Sequence, residues 1–300
     1  MNCAIRTYDL SKRYRRTPVL ERVNLEVPPG SIYGLVGANG AGKTTTIKVL
    51  MNLLVPSSGH CEVMGADSRR LSAADFAQIG YVSENQEMPD WMTVGYFLEH
   101  LGHFYPTWDT AMAAGLLRRF ELPPGRKLRE LSHGMRMKAA LASSLAYRPR
   151  LMVLDEPFTG LDAVVRDELI EGILTRDGGT TIFISSHDLT EIESFVTHIG
   201  YLDQGRLHFS EELASVSARF REMALSFASA PPLPKPWPEH WLLPQTAGNA
   251  IRFIESRYDG ERTAAQIRGV FPDAQEVTAT AMPLRSIFVA LVKAGRKGVQ

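Results

Sequence analysis

The segment that most constrains this chain is GANGAGKT, residues 37–44, set between an apolar run and a helix-forming run. It fits the pattern G-x-x-x-x-G-K-[ST]. Ser31–Val36 reads as a buried strand, Gly37–Gly42 as a glycine-rich loop and Lys43–Leu54 as a helix. The glycines let backbone N–H groups curl around a phosphate with no Cβ in the way. The helix start adds unpaired N–H groups and a positive dipole end. Lys43 brings a point charge to the β and γ phosphates, and the Thr44 hydroxyl is placed to ligate Mg²⁺. A flexible glycine turn would explain the glycines but not the flanking strand and helix. The stretch therefore predicts a nucleoside triphosphate site inside an α/β sheet.

The rest of the chain fits such a sheet. Residues 1 to about 30 alternate apolar and polar side chains and read as short strands, with turns at Pro28, Pro29 and Gly30. Ile79–Ser83, Leu151–Leu154 and Thr180–Ser185 read as further strands. Residues 88–147 are helical in pattern, with breaks at Pro106, Pro123, Pro124 and Gly125. Strands alternating with helices predict a mostly parallel sheet that binds ligands at the strand C-termini. Ile199–Leu202 and Arg206–Phe209, split by Asp203-Gln204-Gly205, read as a hairpin that ends the domain. Residues 229–244, SAPPLPKPWPEHWLLP, then read as a stiff, extended connector or insert. Around it Glu222–Ala228, Ala250–Ser256 and Gln275–Ala281 read as strands, and Arg262–Val270 and Leu284–Ala294 as helices. Together these predict a small α+β unit.

Three further features belong with the loop. Asp155 closes the apolar run LMVL, where a charge needs a partner, and a hydrated Mg²⁺ is the natural one. Glu156 follows at once, so one acid can serve the metal and the other an attacking water. His187 follows the strand TIFISS, on the edge where phosphates should lie. Separately, LSHGM at residues 131–135 puts Ser132 and Gly134 at the head of a helix, a place that suits an anion.

In that order these motifs resemble the ATP-binding subunit of an ABC transporter, over about residues 3–225. GANGAGKT resembles the Walker A loop, LMVLDEP the Walker B strand with its catalytic glutamate, and TGLD, with Gly160 and Asp162, the D-loop. LSHGM resembles the family signature, usually LSGGQ; His133 and Met135 depart from it in a way found among ATPases of ABC-2 type exporters. The resemblance implies a P-loop ABC ATPase fold: a mixed or parallel sheet core, an antiparallel N-terminal β subdomain and an inserted helical subdomain at about 88–147. Its domain is expected over 1–220, with an accessory α+β unit over 221–300.

The resemblance also implies roles. ATP and Mg²⁺ are the expected ligands. Gly37, Ala38, Asn39, Gly40, Ala41, Gly42, Lys43, Thr44 and Thr45 would cradle the phosphates, and Tyr14 would stack on adenine. Thr44, Asp155 and Glu84 would serve the metal, Glu156 would polarise water and His187 would sense the γ-phosphate. Glu84 stands where the family carries glutamine, and it adds negative charge beside a triphosphate. Ser132 and Gly134 would complete the site of a second subunit, so two chains close head to tail as a homodimer or heterodimer. Closure would drive a separate transmembrane permease subunit, in the direction of export. The alternatives are a non-transport or a regulatory ABC ATPase.

The aromatic-rich stretch after Glu84 lies where the family receives a helix of the membrane subunit. Thr93 reads as an N-cap there, and Trp91 or Met92 as a rim for contact. The formal net charge is zero, so no nucleic-acid partner is expected. Cys3 and Cys61 have no metal or CxxC spacing and read as free thiols. The N-terminus lacks the apolar run of a signal peptide, and no stretch is long enough to span a bilayer. The expected location is peripheral, at the cytoplasmic face of the cell membrane.

Overall fold

Ile32–Val36 is buried at all five positions. In the computed structural model, which describes residues 3–174, 179–234 and 236–297, it is β4, following β1 (Ile5–Tyr14), β2 (Thr17–Val23) and β3 (Glu26–Val27). It lies inside a six-stranded sheet with β7 (Ile79–Ser83), β8 (Leu151–Asp155), β9 (Thr181–Ser186), β10 (His198–Asp203) and β11 (Arg206–Glu212). The order is β11-β10-β4-β9-β8-β7, and the five strands from β10 to β7 run parallel. Residues of β4, β8 and β9 are buried throughout, the mark of strands covered on both faces. This explains why they read as unbroken apolar runs rather than alternating ones.

A second, antiparallel sheet holds β1, β2 and β3 together with β5 (Ser58–Val63) and β6 (Ala66–Asp67). One core joins the two sheets: Ile5, Leu10, Leu20 and Leu25 meet Leu35, Ile47, Val153 and Phe183. Helix α1 (Lys43–Leu50) carries Ile47 into this core. It stops four residues short of the expected Leu54, because Asn52 turns left-handed at φ 55° just after the C-cap Met51.

After the short α2 (Ala73–Phe76) come α3 (Val94–Gly102), α4 (Thr110–Arg119) and α5 (His133–Leu145). Each of these three starts on a capping side chain, Thr93, Asp109 and Ser132 respectively. α6 (Ala163–Leu174) follows β8. No helix among the described residues is long and apolar enough to cross a membrane.

The chain divides into two units, Met1–Ser210 and Glu211–Gln300. The second contains α7 (Leu213–Arg219), β12 (Arg221–Ser226), β13 (Trp241–Ala247), β14 (Ala250–Glu255), α8 (Gly260–Val270), β15 (Glu276–Ala281) and α9 (Leu284–Lys297). Its antiparallel sheet has the order β13-β14-β12-β15. Met223, Leu225, Ile251 and Phe253 on the sheet meet Ile267 and Phe271 at α8. The proline-rich segment differs from the expected connector. Its last four residues, from Trp241, begin β13, and Trp237 packs 5.5 Å from Phe253 between ring centres. Burial of two tryptophans outweighs the proline preference for an isolated extended chain. Pro244 is tolerated because the pairing with β14 breaks between Leu242 and Gln245. Lys235, within that segment, lies outside the described residues.

Candidate active site

The loop after β4 is shaped by two glycines. A Cβ on Gly37 would stand 2.1 Å from the carbonyl oxygen of Leu202, a backbone atom that cannot yield. Gly42 caps α1 at φ 112°, a conformation that favours glycine. Lys43, 4 % exposed, folds across this loop. Its Nζ donates to Gly37 O at 2.7 Å and Ala38 O at 3.2 Å, and pairs with Glu156 Oε1 at 3.0 Å.

Asp155 ends β8 and is 5 % exposed. Its Oδ1 accepts from Ser185 Oγ at 2.7 Å and from Thr44 Oγ1 at 3.1 Å. Burial pushes its carboxyl above the ordinary range, against the bonds from Ser185 and Thr44. Glu156 follows in a left-handed turn at φ 52°, rare for a side chain of this size. Its amide donates to Ser185 Oγ at 3.0 Å. Its Oε2 lies 2.7 Å from His187 Nδ1 and accepts from His187 N and Thr159 Oγ1, both at 3.3 Å. Burial alone would raise the Glu156 carboxyl, but the bonds from His187 and Lys43 outweigh it and hold the group below its ordinary value. The same bond to Glu156 raises His187.

These groups face a cavity of about 470 Å³. Asn39, Gly40, Gly42, Lys43, Thr44 and Thr45 line it from the loop and helix start, with Glu84, Glu156, Thr159 and His187 opposite. Glu84 is tied to the site through its amide, which donates to Asp155 O at 3.1 Å. Gly37, Ala38, Ala41 and Asp155 are not among its lining residues. Tyr14 does not line it either: it is 47 % exposed at the end of β1, beside the Lys12 ammonium, and Val19 of β2 lines the cavity instead.

The oxygen donors suit a small hard cation. The Thr44 hydroxyl and the Asp155 carboxylate meet, and Asp155 has the raised titration of a charge short of compensation. Among the described residues, no three acidic, histidine or cysteine side chains are arranged to hold a metal by themselves. Phosphate oxygens and water must complete such a site, as Mg²⁺ commonly requires.

Ser132 and Gly134 lie outside this cavity. Ser132 is exposed and caps α5, its Oγ accepting from Met135 N at 3.3 Å. A Cβ on Gly134 would stand 3.0 Å from Val165 Cγ1 of α6. His133 Nε2 lies 3.1 Å from the carbonyl oxygen of Thr159, so this helix start touches the loop that carries Thr159 to Glu156. Of the two rim residues expected beyond Glu84, Trp91 is 64 % exposed, whereas Met92 is buried and turns into the interior.

Three site residues escaped the sequence. Ser185 is one of a Ser-Ser pair closing an apolar strand, and only the β8–β9 register, Asp155 opposite Ser185, shows that it serves both acids. Thr159 reaches the cavity from a loop and Val19 from the β1–β2 hairpin, with no local pattern to mark them.

Comparison with known proteins agrees with this geometry. The family model described as ABC transporter matches residues 20–159. The chain is 32% identical over 229 residues to the bacitracin transport ATP-binding protein BcrA of Enterococcus faecalis, covering 74% of this chain and 73% of that protein. It is 36% identical over 210 residues to the daunorubicin resistance ATP-binding protein DrrA3 of Streptomyces coeruleorubidus, covering 68% and 66%. A solved ATP-binding subunit of an ABC transporter superposes with a TM-score of 0.63 at 27% identity, covering 72% of this chain and 92% of that one. A glycine loop clamped by Lys43, two adjacent acids and a histidine at the same sheet edge are thus no chance convergence: this chain belongs to the ATP-hydrolysing, ATP-binding subunits of ABC transporters.

Proposed function

We propose that the cavity beside Lys43 is where this chain binds and hydrolyses Mg-ATP, and that a second ATPase subunit completes the site. The observation that carries this is the Glu156 carboxylate, gripped by Lys43, His187 and Thr159 at the cavity wall. Its lowered titration keeps it ionised at neutral pH and able to accept a proton. Asn39 to Thr45 cradle the phosphates through amides, with Lys43 as the point charge. Water attacks the γ-phosphorus, the bond from that phosphorus to the bridging oxygen breaks, and ADP leaves with the bond's electron pair. Glu156 takes the water's proton, and His187 fixes the carboxylate and senses the γ-phosphate. Thr44, Asp155 and Glu84 would hold Mg²⁺, which would supply charge neutralisation at the phosphates.

Ser132 and Gly134, exposed and half-buried at a helix start away from the cavity, suit the γ-phosphate of a partner's ATP. The partner is a second copy or a related ATPase subunit, closing head to tail. The Met1–Ser210 unit is the motor, and Glu211–Gln300 is accessory. Its closure drives a transmembrane permease at the cytoplasmic membrane face, in the direction of export. The names of relatives serving bacitracin transport and daunorubicin resistance support that direction. A groove of about 420 Å³ lined by Leu53, Phe97, Leu101 and Tyr105, among others, is apolar enough to receive a permease helix.

Glu156→Gln tests the assignment. It should lower ATP turnover of the purified chain by about 10²-fold or more, as expected for loss of a general base. With Mg-ATP it should also bring two chains together on gel filtration. Undiminished turnover would remove Glu156 from the mechanism.

A further inference from the structure

The C-terminal unit contains a separate cavity of about 480 Å³. It opens on the sheet face opposite the aromatic core. Along β14, the side chains of Ile251 and Phe253 belong to that core, while Arg252 and Ile254 alternate with them at the cavity, which Phe253 also borders. From α9, Arg285, Val289 and Lys293 border it at spacings of four residues, which places them on one helix face.

We propose that this cavity binds a small organic phosphate with a short apolar tail. Its charge is the first reason. Arg252, Arg285 and Lys293 face one acid, Glu222, so the lining carries three positive charges against one negative, a net of +2. None of the three cations has a carboxylate within ion-pair distance among the described residues. Elsewhere in the same unit, Arg219 and Arg262 pair with Glu211 and Asp259. Two guanidinium forks and an ammonium converging on one space match the charge and the planar oxygen pairs of a phosphate monoester dianion.

The apolar wall is the second reason. Leu243, Ile254 and Val289 face the same space, and Val289 is 45 % exposed, an unusual setting for valine beside three cations. Leu243 is held at φ 51°, in the break between Leu242 and Gln245 where β13 loses register with β14. A leucine in the left-handed region is strained, and such strain gathers at ligand sites. The volume also falls within the roughly 300–1,000 Å³ of small-molecule sites. Phosphate head and apolar tail together account for the three cations and for Leu243, Ile254 and Val289.

The test uses the full chain with its nucleotide site saturated by Mg-ADP. Hexyl phosphate should bind by calorimetry, and inorganic phosphate should bind at least about tenfold more weakly for want of a tail. Arg252→Ala and Arg285→Ala should each weaken hexyl phosphate by about tenfold or more. Arg252→Lys, which keeps the charge but loses the fork, should fall between, and all three variants should retain the circular dichroism and ADP affinity of the parent. Vesicles of phosphatidylcholine, with and without phosphatidic acid, separate the two sources of such a head group. Arginine-dependent sedimentation with the acidic vesicles identifies a lipid, and binding of hexyl phosphate without sedimentation identifies a free phosphate ester. Equal binding of hexyl and inorganic phosphate, no binding of either, or binding indifferent to both arginines overturns the proposal.

Discussion

Ser185 joins the two acids of the active site, and Ser185→Ala removes both links at once. The side chain is fully buried. It donates to Asp155 Oδ1 at 2.7 Å and accepts from the Glu156 amide at 3.0 Å. A hydrogen bond to a charged group contributes about 1.5–3 kcal/mol, and a buried donor left unpaired costs about 1–3 kcal/mol. Asp155 keeps its bond from Thr44, and Glu156 is only half-buried, so the lower ends apply. The expected loss is about 2.5 kcal/mol, or a fall of about 5–10 °C for a unit of this size. Calorimetric unfolding of the nucleotide-free, Mg²⁺-free chain measures it, because it follows the transition of the Met1–Ser210 unit. A double-mutant cycle with Asp155→Asn apportions the loss, and the coupling should be about 1–2 kcal/mol. A loss below about 1 kcal/mol, or strict additivity with Asp155→Asn, would refute the view that Ser185 holds the acids in place.

Glu84→Gln should bind ATP about fivefold more tightly in the absence of Mg²⁺, the effect of removing one charge a few ångströms from the phosphates in a hydrated setting; equilibrium dialysis in chelator checks it. His133→Gly should lower kcat about fivefold with the KM for ATP unchanged, because it cuts the bond from the α5 start to the loop of Thr159 and leaves the cavity wall intact. His187 titrates above its ordinary 6.5 and Glu156 below its ordinary 4.5. The raised histidine stabilises fully below 6.5 and stops doing so as pH climbs through its raised value, while the lowered carboxylate stabilises above 4.5 and stops as pH falls through its lowered value. The melting penalty of His187→Gln should therefore be larger at about pH 6 than at about pH 9, and equal penalties would exclude the ion pair as its source.

Much of the first unit was legible because its physics is local. An unbroken apolar run such as Leu151–Leu154 signals a strand buried on both faces, and a glycine loop before a lysine signals a phosphate cradle. What the sequence could not show was set by packing between distant segments. Val19 lines the cavity while Tyr14 stands exposed at the end of β1, a placement set by the β1–β2 hairpin rather than by any local pattern. Met92 faces inward and Trp91 outward, a choice that neighbouring apolar residues cannot announce. In the C-terminal unit, six prolines hid a strand whose buried Trp241, with Trp237 packed beside it, is worth more in the core than an open chain is worth in water. The cationic cavity there depends on α9 and β14 meeting across many residues, so no short motif marks it.

The ammonium of Lys43 has one further bearing on how the motor idles. It is a single positive charge divided among two loop carbonyls and the Glu156 carboxylate. A triphosphate is a stronger claimant, so a nucleotide bound as proposed would draw Lys43 away and loosen one side of the grip on Glu156. If Glu156 is the base proposed above, loading the fuel would unlatch the group that consumes it and tie proton abstraction to occupied sites.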